Sequence, residues 1–239
     1  MDVDALRRRV MLACATGVGL TGCGAWSPPE KPVSEWQPFR LPGKRSTLYR
    51  WSEKDGRACW HARADRSASM WRREVHLPAD QIGDVEFSWW VPRAIAGADM
   101  RQADTEDAPA RVIFAFAGDE SRLSPRNRML FEMARALSGE PPPFATLMYV
   151  WANHTPVDEV IVNPRLDRIR KVVVERGESQ LQRWRHYHRN LRDDFIRAFG
   201  EPPGALTGIA LMTDADNTGS QAEAWYGDVK VRGLPPRTV

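Results

Sequence analysis

Apolar and polar residues alternate over short runs along most of this chain, the period of half-buried β-strands. Residues 47–51 and 57–62 flank Asp55-Gly56, a dipeptide that turns a hairpin. Runs at 68–77, 84–91, 111–116, 146–151, 167–175, 206–213 and 222–231 read as further strands, with 111–116 (RVIFAF) apolar enough to be buried on both faces. Two segments carry helical spacing instead. Over 125–137, Ser124 suits an N-cap, Pro125 the first helical position and Gly139 the stop, with Met129, Leu130, Met133 and Leu137 on one face. Over 178–199, Leu181, Trp184, Leu191, Phe195 and Phe199 recur at helical intervals, arginines fill the polar side, and Gly200 with Pro202-Pro203 ends the element. A basic amphipathic helix there either lies on an anionic membrane or, as the favoured reading, packs on a sheet with its basic face in solvent. Many short strands without regular strand–helix alternation disfavour a parallel α/β sheet. The expected fold is mainly β: an antiparallel sandwich of jelly-roll, lectin-like type with two α-helices.

The first 23 residues break this pattern. Arg7, Arg8 and Arg9 precede an apolar run at 10–20, which is too short to span a bilayer as a helix but fits a secretory signal. Leu20-Thr21-Gly22-Cys23 then resembles the bacterial lipobox, whose cysteine thiol takes a diacylglyceryl group. The expected division is a signal peptide at 1–22, a Pro/Ser/Gly-rich tether at 23–34, one domain at 35–233 and a tail at 234–239. Two or three acyl chains on Cys23, palmitate among them, would anchor stably where one would not. Gly24, in place of the Asp that retains such proteins at the inner membrane, points to the outer membrane facing the periplasm.

Composition narrows the classes. A net charge of +3 on 239 residues gives no polyelectrolyte signature, so nucleic-acid binding has no support. With Cys14 in the signal and Cys23 lipidated, Cys59 has no partner for an intrachain disulfide and reads as a buried thiol. Ten tryptophans suit sheet faces and core, and also make stacking platforms for sugar rings. There is no H-E-x-x-H, paired C-x-x-C, G-x-S-x-G or phosphate loop, and no cofactor is called for. His186 and His188, two apart on the expected helix, would face different ways.

Three constellations offer chemistry. Asp214, Asp216 and Asn217 sit in TDADNTG, followed by Trp225 and Asp228; alternating oxygens of this kind are either a turn bonding its own backbone or a ligand site, with calcium the one ion they would suit. Trp151, Asn153 and His154 end a strand with an aromatic ring, an amide and an imidazole, groups that stack on and hydrogen-bond to sugars. In the loop 96–109, Asp104 and Asp107 precede Arg111, either as a solvated acidic loop or as carboxylates for acid–base work.

The segments VWANHTPVDEVIVNP, DRIRKVVVERG, FGEPP and TGIALMTDADNTGSQAEAWYGDV, with RVIFAFAGD before them, resemble the bacterial family called domain of unknown function 3047, over 36–232. The resemblance implies an exported, β-rich, lectin-like sandwich and carries no activity with it. The leading expectation is a non-catalytic envelope module that binds a saccharide or similar polar ligand through the residues above. One rival is a polysaccharide hydrolase or lyase using Asp104, Asp107, Asp214 and Asp228. The other is a structural lipoprotein that docks a protein partner.

Overall fold

The computed structural model describes residues 35–235. The signal, Cys23, the tether and most of the tail fall outside the described residues. In order the elements are β1 (Trp36–Arg40), β2 (Leu48–Lys54), β3 (Arg57–Asp65), β4 (Ser69–Leu77), β5 (Asp84–Trp90), β6 (Ala108–Phe116), α1 (Pro125–Ser138), β7 (Ala145–Ala152), β8 (Val160–Val162), β9 (Ile169–Arg176), β10 (Trp184–Asn190), α2 (Leu191–Phe199), β11 (Leu206–Asp214), β12 (Gln221–Tyr226) and β13 (Lys230–Val231).

Two sheets stack face to face. One has seven strands in the order β1-β4-β11-β6-β7-β9-β8; the other has six, β10-β5-β12-β3-β2 with β13 also on β5. Neighbours are antiparallel except β7 and β9, which run parallel. Phe87, Trp89, Phe114, Phe116, Leu147, Tyr149, Trp151, Leu211 and Tyr226 fill the space between them. The two tyrosine hydroxyls in this core are satisfied: Tyr149 donates to Asp194 Oδ2 at 2.8 Å and Tyr226 to the Met212 carbonyl at 2.7 Å. The chain is thus a mainly β sandwich of jelly-roll type with two α-helices.

Local signals explain most boundaries. Asp55 and Gly56 both take positive φ, 52° and 74°, as the turn between β2 and β3 requires. The Ser124 side chain accepts from the Asn127 N–H at the start of α1, and Gly139 closes it in the left-handed region. The expected last strand is instead two. At Gly227 the backbone passes Ser88 so closely that a Cβ would lie 2.3 Å from its Oγ, and β13 then replaces β12 beside β5.

The long helix expected over 178–199 is corrected. Residues 178–183 form turns, and 184–190 are β10, paired with β5 from Trp184↔Trp90 to Asn190↔Asp84. Asn190 then caps α2, accepting from the Asp193 N–H. Only Leu191, Phe195 and Phe199 keep the helical spacing within one element. Alternation decides the rest: Tyr187 stacks on Phe87 inside the sandwich while His186 and His188 face out. The two histidines therefore share a face, contrary to the helical expectation. No described helix is long and apolar enough to cross a membrane.

Candidate functional site

The outer face of the seven-stranded sheet gathers most of the acidic motif. Asp214, at the end of β11, takes two bonds from Arg111 of β6, at 2.9 Å from Nε and 2.8 Å from Nη2. Arg111 also donates to the Glu106 carbonyl at 2.7 Å, and Lys171 of β9 donates to the Met100 carbonyl at 3.0 Å and pairs with Glu106 at 2.6 Å. Asp107 accepts from the Thr218 N–H at 2.7 Å and its hydroxyl at 2.6 Å, and from the Asn217 N–H at 3.2 Å. Asn217 donates to the Ala103 carbonyl, and Asp216 pairs with Lys44. Burial pushes the Asp214 carboxyl up to about 6 although Arg111 pulls it down, and burial beside Arg111 brings Lys171 down to about 8. Met100 packs with Val150, Ile161 and Val173, so the 96–107 loop lies over this network.

Carboxylate oxygens of Asp107, Asp214 and Asp216 come within 4.8 Å of one another, as a cation would ask. Protein donors already hold all three, however, and the cations among them are Arg111 and Lys44. The donor set fits an internal ion network better than calcium. The same geometry removes two of the four acids suggested for hydrolysis, because Asp107 and Asp214 are buried. Asp104 is exposed on the loop, and Asp228 lies in the connection between β12 and β13 of the other sheet.

The strand-end candidates separate too. Trp151 is fully buried, its indole N–H donating to the Gly177 carbonyl at 2.9 Å, so it offers no platform. Asn153 donates to the carbonyls of Ile95 and Ala98 at 2.7 and 3.0 Å and holds that loop in place. His154 is exposed beside it.

Trp225 and Asp228 belong to a different surface. Across the outer face of the six-stranded sheet, register places Trp184 of β10, Trp90 of β5, Trp225 of β12, His61 of β3 and Arg50 of β2 in one transverse row. Trp90 meets Trp225 edge-on at 5.0 Å and 87°, and His61 stacks on Trp225 at 4.3 Å and 6°. The tip of the β2–β3 hairpin leans over the row: Lys54 Nζ lies 4.0 Å from the Trp90 ring centroid, and the Arg57 guanidinium 5.1 Å from that of Trp184. His61 Nε2 is 2.6 Å from Glu223 Oε1; burial lowers its pKa while Glu223 opposes the shift.

Beside the row lies an open cleft of about 440 Å³, with Arg57, Trp184, His186, His188, Glu86 and Asp228 on its walls. It exists because β12 leaves β3 after the Tyr226↔Trp60 pair, so the first residues of β3 have no partner on that side. Arg57 can only donate, so His186 Nε2, 2.8 Å away, accepts. Burial and the Arg57 charge lower the pKa of His186, which keeps it the neutral acceptor. Of this surface, sequence reasoning had picked out only Trp225 and Asp228. The signal for the rest was the alternation Trp184, His186, His188, hidden under a helical reading. Cys59, on the same strand as His61, is buried, and burial pushes its thiol up to about 12, which leaves it inert.

Residues 34–230 match the family described as "Protein of unknown function (DUF3047)". The chain belongs to that family. No curated protein matches this DUF3047 chain. Solved structures similar to it include a family 11 carbohydrate-binding module from Clostridium thermocellum in complex with a β-1,3-1,4-mixed-linked tetrasaccharide, at 9% identity and TM-score 0.40, covering 87% of this chain and 94% of that one. Another is the xyloglucanase domain of NopAA, a type three effector from Sinorhizobium fredii, in complex with cellobiose, at 7% identity and TM-score 0.41 over 83% and 97% of the two chains. A third is the endo-1,4-β-glucanase CelB2, at 12% identity and TM-score 0.40 over 83% and 96%.

Proposed function

We propose that this DUF3047 protein is a saccharide-binding module, exported and lipid-anchored at Cys23, and that it binds through the outer face of its six-stranded sheet. The observation that carries the reading is the half-buried Trp184, Trp225 and His61, set in one transverse row around the buried Trp90, beside an open polar cleft. Flat rings contact the apolar faces of pyranose rings, and neighbouring amphoteric and charged groups take up the hydroxyls. Glu86, Asp228, the neutral His186 and Arg57 supply both acceptors and donors on the cleft wall. The acid–base hydrolase reading is not favoured, since two of its four suggested acids are spent in buried ion pairs and backbone bonds.

A glycan array of envelope and plant polysaccharide fragments, followed by isothermal titration of each hit, tests the proposal. Trp225→Ala and Trp184→Ala should each weaken binding by about tenfold, equivalent to about 1.4 kcal/mol. Asn153→Ala and Asp216→Ala, whose side chains hold the 95–98 backbone and Lys44 and are not part of the row, should leave it unchanged. No bound glycan, or equal affinity in all four variants, overturns the assignment.

A further inference from the structure

Helix α1 turns apolar residues both toward the protein and away from it. Asn127 and Phe131 are buried. On the opposite ridge Met129, Met133 and Leu137 follow at four-residue intervals and are 58%, 53% and 71% exposed. Single exposed apolar side chains are ordinary, but three along one ridge form a contact surface.

The path of the chain indicates what that surface meets. Strand β1 is the edge of the seven-stranded sheet, and there Trp36 and Gln37 pair with Arg73 and Arg72 of β4. Arg72 reaches Glu140, just past α1, at 2.9 Å, and Arg73 lies 3.6 Å from Glu35, the first described residue. The entry of the chain and the end of α1 are thus tied to two adjacent residues of one strand. Eleven residues lie between Cys23 and Glu35, a stretch that spans about 40 Å at most. At the other end of α1, Arg126 and Arg128 donate only to backbone carbonyls, those of Arg165, Ser121 and Leu123, and have no carboxylate partner among the described residues. An apolar ridge with unneutralised arginines at one end suits the interface of an anionic bilayer.

We infer that the Met129–Met133–Leu137 ridge rests on an anionic phospholipid surface. The inference rests on the Cys23 anchor, which holds the ridge within reach of that surface. The aromatic row, on the opposite sheet, then faces away from the bilayer toward its ligand.

The test uses the full chain reconstituted in vesicles of phosphatidylethanolamine and phosphatidylglycerol. An environment-sensitive fluorophore is placed at Met133→Cys and, as a control, at Arg63→Cys, which is exposed on the six-stranded sheet. The probe at 133 should shift to the blue and be quenched by brominated lipid, while the probe at 63 should not. Met129→Glu with Leu137→Glu should cut that quenching by about twofold or more. Equal solvent exposure at both probes overturns the inference. So does a concentration-dependent dimer, seen by sedimentation and lost in the double variant, because a second copy is then the occupant. The mass of the amino-terminal peptide reports the anchor separately. Acylated Cys23 with an unquenched probe removes the docking face alone, and unmodified Cys23 with a quenched probe removes the anchor alone.

Discussion

The outer faces of the two sheets both carry charged side chains and put them to opposite uses. On the seven-stranded sheet a loop folds over the charges, and Arg111, Lys171, Glu106, Asp107 and Asp214 neutralise one another out of water. On the six-stranded sheet the tip of the β2–β3 hairpin leans over the row but leaves part of the face open. Trp184 and Trp225 are half-buried around the buried Trp90, Lys54 and Arg57 lie over aromatic faces, and a cleft stays open beside them. An oxygen-rich motif becomes scaffold when the protein supplies its own counter-ions. Rings with no motif between them become a surface when register lines them up.

The largest expected effect breaks the comparison on the buried side. Arg111→Ala leaves Asp214 and Glu106 buried without their guanidinium, which should cost about 3–5 kcal/mol in urea unfolding. Glycan affinity of the folded fraction should not change. A loss below about 1 kcal/mol would mean that this face is not an ion network sealed from water.

A smaller effect is expected from Asn153→Ala. It removes two side-chain bonds to the carbonyls of Ile95 and Ala98 and should cost about 1–3 kcal/mol, again with saccharide binding intact. Weakened binding at unchanged stability would move the site back toward the strand end at 151–154.

The smallest effect sharpens the open side. Burial holds His61 below its ordinary pKa of 6.5, so the folded chain binds its proton later than the unfolded chain does. The contribution is whole above pH 6.5 and is lost as pH falls from there through the folded value. An NMR titration of the His61 ring should have its midpoint below 6.5, with a tryptophan fluorescence change in the same window from the stacked Trp225. A midpoint above 6.5 would show Glu223 outweighing burial and reverse the sign.

Much of the fold was legible from local pattern. The Asp55-Gly56 turn, the Ser124-Pro125 start and Gly139 stop of α1, and the apolar strand β6 each carry their signal within a few residues. The second helix was legible only in its second half, where Leu191, Phe195 and Phe199 recur and Gly200 stops it; its start was not. Residues 184–190 satisfy both a helical and an alternating reading, and only β5 lying alongside selects the strand. That one ambiguity hid Trp184, His186 and His188, and with them most of the candidate site.

The sequence by itself determined the class of this molecule: period-two runs, turn dipeptides and helix caps act between neighbours in the chain and need nothing distant. It also determined the family, through segments that stay together in sequence. Only the tertiary structure decided which acids are neutralised and which rings share a face. Those outcomes depend on contacts such as Arg111 with Asp214 and Trp184 with Trp90, between residues far apart along the chain, where burial and sheet register decide what each side chain meets.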